Sequence, residues 1–92
     1  QPWVFRAMRH YLDHGELLPE PTLQQRKEMC IEHLRRHVEF RGVPRGIFSF
    51  RRHYAGYLKG VANIAKLRRD LMTLTDVERI VERIQTFHEE ER

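Results

Sequence analysis

The sequence predicts an all-α fold, a small helical bundle of four to five helices. Apolar residues recur at three- and four-residue steps in successive segments, which places them on one face of an α-helix. No segment alternates convincingly between apolar and polar residues, the pattern typical of a strand. Ninety-two residues with 40% hydrophobic content can form one modest core but not a large enclosed active site. Residues 1–92 are therefore predicted to form a single helical domain.

The first helix is predicted over residues 3–12, with Gly15 as its stop. Its apolar positions are Trp3, Val4, Ala7, Met8, Tyr11 and Leu12. Residues 16–21 contain two prolines and predict an ordered connector to the next helix.

The second helix has a clear start signal, because Thr22 forms a Thr-x-x-Gln capping box with Gln25. It is predicted to continue to about Arg41, and Gly42 and Pro44 end it. Its apolar face consists of Leu23, Cys30, Ile31, Leu34 and Val38.

The third helix combines an apolar stripe with a basic stripe and is closed by Gly60. Arg45, Arg52 and Lys59 recur every seven residues, about two helical turns, and so are expected on one side roughly 10 Å apart. A row of cations on a rigid helix suits a polyphosphate backbone. The apolar stripe consists of Ile47, Phe50, Tyr54, Tyr57, Leu58 and Val61.

Two further helical segments complete the chain. Residues 63–71 form a short segment, and Thr75 is predicted to open a last helix through a capping box with Glu78. The last helix is strongly amphipathic. The apolar faces of the two segments are Ile64, Leu67 and Leu71, then Val77, Ile80, Val81, Ile84 and Phe87.

The net charge of +4 is unevenly distributed. Residues 35–69 carry ten bases and one acid, Glu39, for a local charge of +9, and the remainder carries −5. Such segregation lets one face attract a polyanion while the rest keeps the molecule in solution. A solvated helix surface is the alternative, and charge alone favours neither. The ten bases are Arg35, Arg36, Arg41, Arg45, Arg51, Arg52, Lys59, Lys66, Arg68 and Arg69.

Two pairs of histidines are spaced four residues apart, His10 with His14 and His33 with His37. Each pair can reach one metal ion from one helix face. Neither pair has an obvious third ligand or the glutamate of an H-E-x-x-H arrangement. No metal site is therefore predicted.

Four other residues have both a chemical and a structural interpretation. His53 either approaches a phosphate or is a hydrogen-bonded structural histidine. Cys30 is predicted to be a buried small hydrophobe and not a nucleophile. Tyr54 and Tyr57 are predicted to pack in the core and not to stack on bases. Because no Gly-rich phosphate loop, paired carboxylates or nucleophile with an evident base occurs, no catalytic or cofactor-binding residue is predicted.

The chain is expected to be soluble and cytoplasmic. It contains no run of 18 apolar residues, and residues 1–5 lack the features of a signal peptide. Its single cysteine cannot form an internal disulfide, which agrees with a reducing compartment.

Residues 50–71, FRRHYAGYLKGVANIAKLRRDL, resemble the signature of the C-terminal helical domain of bacterial tRNA-dihydrouridine synthases. That family typically has an Arg-Lys-His, a Trp-Tyr, a Lys-Gly and a terminal Leu-Arg-Arg in this segment. The first five residues, QPWVF, resemble the Asn-Pro-Trp-Ile-Phe with which the family leaves its catalytic barrel. The family's next connector is matched by residues 10–12, 15–19 and 21–23. The resemblance therefore covers nearly the whole chain.

The sequence departs from the family pattern at two places. Gly56 stands where the family usually has Trp, and residues 61–63 replace a Leu-Pro-Gly-like turn. Both departures concern the packing and the exit of the third helix.

The resemblance implies an enzyme that reduces uridine in tRNA to 5,6-dihydrouridine with FMN, which NADPH reduces in turn. The flavin and the catalytic cysteine of the family belong to a TIM barrel that would precede Gln1. Cys30 is therefore not that cysteine, and no cofactor is expected in this segment. The chain resembles the tRNA-binding domain, expected to be catalytically inert alone, with tRNA and its own barrel as partners.

Backbone contacts are expected to dominate recognition, because folded tRNA presents closely spaced phosphates on A-form surfaces that are hard to read by sequence. Arginine can hold a phosphate with two parallel hydrogen bonds, whereas lysine acts nearer to a point charge. The candidate tRNA-binding residues are Arg45, Arg52, Lys59, Lys66, Arg68 and Arg69, followed by Arg51 and His53.

An alternative hypothesis is a protein-interaction or oligomerisation module without nucleic-acid binding of its own. Its apolar residues would bury against another domain or a second copy, and the free domain would dimerise. A flavin enzyme active as it stands is disfavoured by the short length and the missing phosphate loop. The apolar residues of this alternative are Trp3, Val4, Phe5, Val77, Ile80, Ile84 and Phe87.

Overall fold

The computed structural model describes residues 2–16 and 21–91, with the side chains of the first helix described from Phe5 onward. These residues form helices and connecting turns, and no strand occurs among them, which confirms the all-α prediction. Two short helices, Arg45–Phe50 and Tyr54–Leu58, and the 3₁₀ turn between them follow one another directly, so the described residues form five helical units. The elements are α1 (Pro2–His14), α2 (Leu23–Arg41), α3 (Arg45–Phe50), the 3₁₀ turn (Arg51–His53), α4 (Tyr54–Leu58), α5 (Ala65–Thr73) and α6 (Val77–Thr86).

The predicted stop at Gly15 and both predicted limits of α2 are confirmed, whereas α1 is longer than the predicted residues 3–12. Gly15 adopts a φ of +72°, and its amide donates to the carbonyl of Tyr11 at 2.8 Å. The capping box is complete, since Thr22 and Gln25 exchange side chain to backbone hydrogen bonds of 2.8 and 3.0 Å. α2 ends where Gly42 turns to a φ of +77°. Of the predicted connector, residues 17–20 lie outside the described residues.

The predicted third helix is interrupted, and its basic stripe is therefore not a straight row. Residues 51–53 form a 3₁₀ turn instead of α-helix. Three residues at about 120° each, instead of about 100°, rotate the side chains of α4 by roughly 60° relative to a continuous helix. Lys59 also lies beyond Leu58, the last residue of α4. Arg45, Arg52 and Lys59 thus do not share one face of a regular helix.

α2 is the central helix, because it contacts α1, α3, α4 and α6. The predicted apolar stripe of the third helix packs against it. Cys30, Tyr54 and Tyr57 are completely buried, which confirms that they belong to the core. The largest buried side chains are Tyr54, Tyr57, Phe50, Phe87, Met29, Leu34, Ile47, Leu67, Leu71, Ile80 and Ile84.

The last helix packs inward, and this corrects one part of the interaction alternative. Ile80, Ile84 and Phe87 are at most 1% exposed within this single chain. Val77 is partly buried against the same core. These four residues therefore need no second protein to cover them. The side chains of Trp3 and Val4 lie outside those described.

The predicted capping box of the last helix is wrong. Asp76, not Thr75, is the N-cap residue of α6, and no side-chain cap hydrogen bond forms there. Thr75 lies one residue too early to reach the first turn of the helix. The other end of α6 is capped by Lys27 of α2, whose ammonium donates to the carbonyls of Gln85, at 3.1 Å, and Phe87.

Gly56 lies directly against α1. A Cβ atom at position 56 would overlap the hydroxyl and the ring of Tyr11. Tyr11 therefore occupies the space that a larger side chain at position 56 would require. The second departure from the family pattern forms a turn in which Asn63 adopts a φ of +58°, a conformation that asparagine tolerates better than most residues.

Candidate nucleic-acid interface

The predicted tRNA-binding residues are mostly exposed cations without a carboxylate partner. Among the residues that the structure describes, none of the six first candidates has a carboxylate oxygen within 4.0 Å. Arg41, which sequence reasoning counted as a base but did not select, shares both properties. Seven exposed cations thus carry uncompensated charge: Arg41, Arg45, Arg52, Lys59, Lys66, Arg68 and Arg69.

Two other bases of the same basic segment are neutralised within the fold. Arg35 makes two hydrogen bonds of 2.9 and 3.2 Å to Glu78 of α6, and these hold the pKa of Glu78 below its usual value. Arg36 lies 3.0 Å from Glu32, one helical turn earlier. These two paired arginines differ from the seven exposed cations, which have no carboxylate partner among the described residues.

Arg51 is directed into the fold. Its guanidinium lies over the ring of Phe48, 4.9 Å from the ring centre, and Nη2 is 3.4 Å from the carbonyl oxygen of Leu74. Its Nε is buried and has no hydrogen-bond partner. Arg51 therefore links the end of α3 to the end of α5 instead of extending into solvent.

His53 belongs to a cluster of three histidines between α2 and the 3₁₀ turn. Its ring centre is 4.6 Å from that of His33 and 6.1 Å from that of His37. Burial, followed by the charge of Arg52, lowers the pKa of His53. This half-buried ring favours the structural interpretation over direct phosphate contact.

The same cluster uses its nitrogen atoms within the fold. His33 Nδ1 is 2.8 Å from the hydroxyl of Tyr57, and His37 Nε2 is 2.6 Å from that of Ser49.

The other predicted histidine pair, His10 and His14, stacks with ring centres 4.4 Å apart. Across residues 2–16 and 21–91, no group of three or more His, Cys, Asp or Glu side chains is arranged to hold a metal ion.

Lys59 extends from a turn that α2 holds in place. Arg26 donates from Nη1 to the carbonyl oxygens of Tyr57 and Lys59, at 2.9 and 3.1 Å. These carbonyls lie at the end of α4, where no intrahelical donor remains. The cation of Arg26 thus fixes the backbone that carries Lys59.

Two of the three candidate cations of α5 border a groove. Arg68 and Arg69 border an open surface groove of about 550 Å³, together with Ala65, Met72 and Thr73. Lys66 lies nearer to the last residues of the chain: hydrogen bonds from Arg83 lower the pKa of Glu91, and the charge of Lys66 adds to that effect. Arg68 and Arg69 are therefore the freer pair.

Sequence reasoning missed a second groove, of about 580 Å³, lined by Pro44, Arg45, Phe48 and Ser49. Phe48 is 49% exposed. The sequence does contain a signal of this exposure. Phe48 lies between the core residues Ile47 and Phe50 but does not belong to the apolar stripe that they form. Arg51 contacts the ring of Phe48, which lines this groove, and the carbonyl of Leu74, which follows Thr73 of the other groove in the sequence.

Three of the exposed cations border the two grooves. Arg45 borders one groove, and Arg68 and Arg69 border the other. Arg52 faces the histidine cluster, where its charge contributes to the lowered pKa of His53. Such a surface offers several separate phosphate contacts and no enclosed site.

Comparison with known proteins identifies relatives along the whole chain. The family model described as dihydrouridine synthase (Dus) matches residues 1–91. The tRNA-dihydrouridine synthases B of Pectobacterium carotovorum and Serratia marcescens are each 35% identical over 89 residues. The protein of that name in Escherichia coli strain K12 is 34% identical over 89 residues. Each match covers 97% of this chain but only 27 or 28% of the relative.

Proposed function

This chain belongs to the dihydrouridine synthase family, and from that premise we propose that it is the tRNA-binding domain of an FMN-dependent tRNA-dihydrouridine synthase acting in the cytoplasm. It binds the tRNA backbone through its exposed cations. The observation that carries this proposal is the set of seven exposed lysines and arginines between residues 41 and 69 that have no carboxylate partner among the described residues.

The proposed contacts are electrostatic. A cation that is not already paired can replace a counterion at a phosphate, and the released counterions make the binding favourable and salt-dependent. Arg45, Arg68 and Arg69 rank first, because each borders an open groove. Arg52, Lys59 and Lys66 are further proposed contacts, because each is exposed and has no carboxylate partner among the described residues. Arg51 and His53 are assigned a positioning role, since both are half-buried and engaged within the fold.

The redox chemistry is proposed to belong to the parent enzyme and not to this chain. The chain spans somewhat more than a quarter of the length of its curated relatives. The two grooves beside Phe48 and beside Arg68 are open to solvent, so the residues that line them do not enclose a flavin ring. Cys30 is completely buried, and burial raises the pKa of its thiol, which suits a packing role. Binding the tRNA body here would orient the target uridine toward a barrel that holds FMN and receives electrons from NADPH.

Replacement of Arg68 and Arg69 by Gln tests the assignment. Because two phosphate contacts are lost, binding of unmodified tRNA should weaken, and the log-log salt slope should become shallower by about 1.4 to 1.8. Fluorescence anisotropy at several salt concentrations measures both quantities. Circular dichroism checks that helicity is unchanged.

The matched control replaces Arg6 and Arg79 by Gln. Both are exposed, both lie outside the basic segment, and the charge change is the same. The control should retain the slope of the original chain. Equal losses in the two variants would mean that net charge alone drives binding, and the specific interface would be wrong.

The alternative hypothesis, a protein-interaction or oligomerisation module, retains one face of α1 as its contact surface. Phe5 is 40% exposed and Leu12 is 51% exposed, and their seven-residue spacing places them on one side of the helix. We propose the enzyme's own barrel as the partner for this face. If the free domain instead dimerises through it, light scattering across a concentration series should show association that replacement of Phe5 and Leu12 by Ser abolishes. A mass that stays monomeric at every concentration would rule out the dimer.

A further inference from the structure

The groove beside Phe48 has a composition that the phosphate contacts do not explain. Its walls are the rings of Pro44 and Phe48, with Arg45 and Ser49 completing the lining. The hydroxyl of Ser49 is engaged with His37 at 2.6 Å. Most of the groove surface is therefore apolar, although it lies in the most basic segment of the chain.

Phe48 is covered on one side by Arg51 while about half of the residue stays exposed. The guanidinium of Arg51 covers part of the ring at 4.9 Å, and the carbonyl of Leu74 restrains the same guanidinium. The residue is nevertheless 49% exposed and lines the groove. A restrained, half-exposed aromatic ring loses little conformational entropy when a second flat group packs on it.

The charges around the groove indicate what that flat group is. Arg45 borders the groove, and Arg41 is the last residue of α2, next to Gly46. Both are exposed and have no carboxylate partner among the described residues. Proteins that hold single-stranded nucleic acid combine such cations with aromatic rings on which bases stack. An apolar peptide would leave both cations uncompensated.

We propose that this groove binds one unpaired nucleobase of an RNA, stacked on Phe48, with an adjacent phosphate held by Arg45. The site rests on the proposed RNA-binding function and adds a base contact to a surface otherwise limited to phosphates. Bases of a duplex are stacked within the helix and cannot enter the groove, whereas bases of loops can be turned out. The domain therefore distinguishes looped from fully paired RNA.

The Phe48→Leu variant tests the proposal, because leucine keeps an apolar side chain but removes the aromatic face. The probes are unmodified tRNA, a short single-stranded oligoadenylate and an RNA duplex. Binding of tRNA and oligoadenylate should weaken about tenfold, and duplex binding should not change. Phe40→Leu is the matched control, because Phe40 is 84% exposed but does not line the groove.

A second variant reports stacking directly. Because the chain already contains Trp3, both variants also carry Trp3→Phe. The fluorescence of Phe48→Trp should then be quenched when oligoadenylate is added, whereas that of Phe40→Trp should change little. If tRNA binds in a salt-sensitive manner but Phe48→Leu and Phe40→Leu behave alike, the base site is wrong and the phosphate interface stands. If the original chain binds none of the three RNAs, both proposals are overturned.

Discussion

At the residue scale, His33 has the most altered environment of the basic side chains in the core. Burial, and after it the charges of His53, His37 and Arg52, lowers the pKa of His33 to about 4. Its Nδ1 faces the hydroxyl of the fully buried Tyr57 at 2.8 Å. The folded state therefore holds the imidazole of His33 neutral, because burial and the nearby basic side chains both disfavour its protonation.

A pH dependence of stability is expected from His33. Between pH 6.5 and about 4 the unfolded chain binds a proton at this position that the folded chain does not, so stability falls as the pH falls through this window. The free energy of unfolding should be lower at pH 4 than at pH 7 by about 2 kcal/mol from this residue. Denaturation by urea at a series of pH values measures it.

Replacement of His33 by Gln should flatten that pH dependence, at some cost in stability at pH 7. His88→Gln is the control, because His88 is exposed outside the cluster. If the original chain and the His33→Gln variant lose stability equally between pH 7 and pH 4, the fold does not hold His33 neutral.

Residue positions were predictable from the sequence where the helical repeat alone decides them. Tyr54, Tyr57 and Cys30 lie in the middle of apolar stripes and are buried. The exposure of Phe48 and the inward direction of Arg51 were not predictable, because both depend on where α5 ends. The carbonyl of Leu74, which receives Arg51, is 23 residues away in the sequence.

At the scale of elements, the two threonines that were predicted to open capping boxes behave differently. Thr22 exchanges both hydrogen bonds with Gln25. Thr75 makes none, because the N-cap of α6 is Asp76. The same local signal was present at both positions, so the difference must come from how α6 packs.

Thr22→Ala should therefore lower the free energy of unfolding by about 1 kcal/mol, the usual value of an N-cap side chain. Thr75→Ala, its matched control, should change it by a few tenths of a kcal/mol at most. Thermal or urea denaturation of both variants measures the difference. A similar loss in the two variants would contradict the observed caps.

The helical units were predictable as elements, but the interior of the third was not. Apolar spacing and the stops at Gly42 and Gly60 give its limits correctly, since Gly60 adopts a φ of +80°. The 3₁₀ turn at Arg51–His53 leaves no mark in that spacing. Over three residues the two helix types place apolar side chains within about 60° of each other, so one stripe fits both.

At the scale of the whole molecule, the fold separates two uses of positive charge. Arg26, Lys27, Arg35, Arg51 and Arg83 join helices or cap their ends. The seven exposed cations between residues 41 and 69 neither join helices nor cap helix ends among the described residues. The net charge and its uneven distribution could be read from the sequence. Which cations are paired could not, because pairing depends on which carbonyls and carboxylates the packing brings near.

No helix in the described part of the chain is long and apolar enough to cross a membrane.

The central claim is that these unpaired cations contact tRNA phosphates, and the most direct test is a titration of this chain with unmodified tRNA across a series of salt concentrations. Each neutralised phosphate contributes about −0.7 to −0.9 to the log-log slope, so contacts by Arg45, Arg68 and Arg69 alone give a slope of about −2 to −3. Tight binding at low salt with at least that slope is the predicted result. A slope near zero, or no binding at low salt, would contradict it.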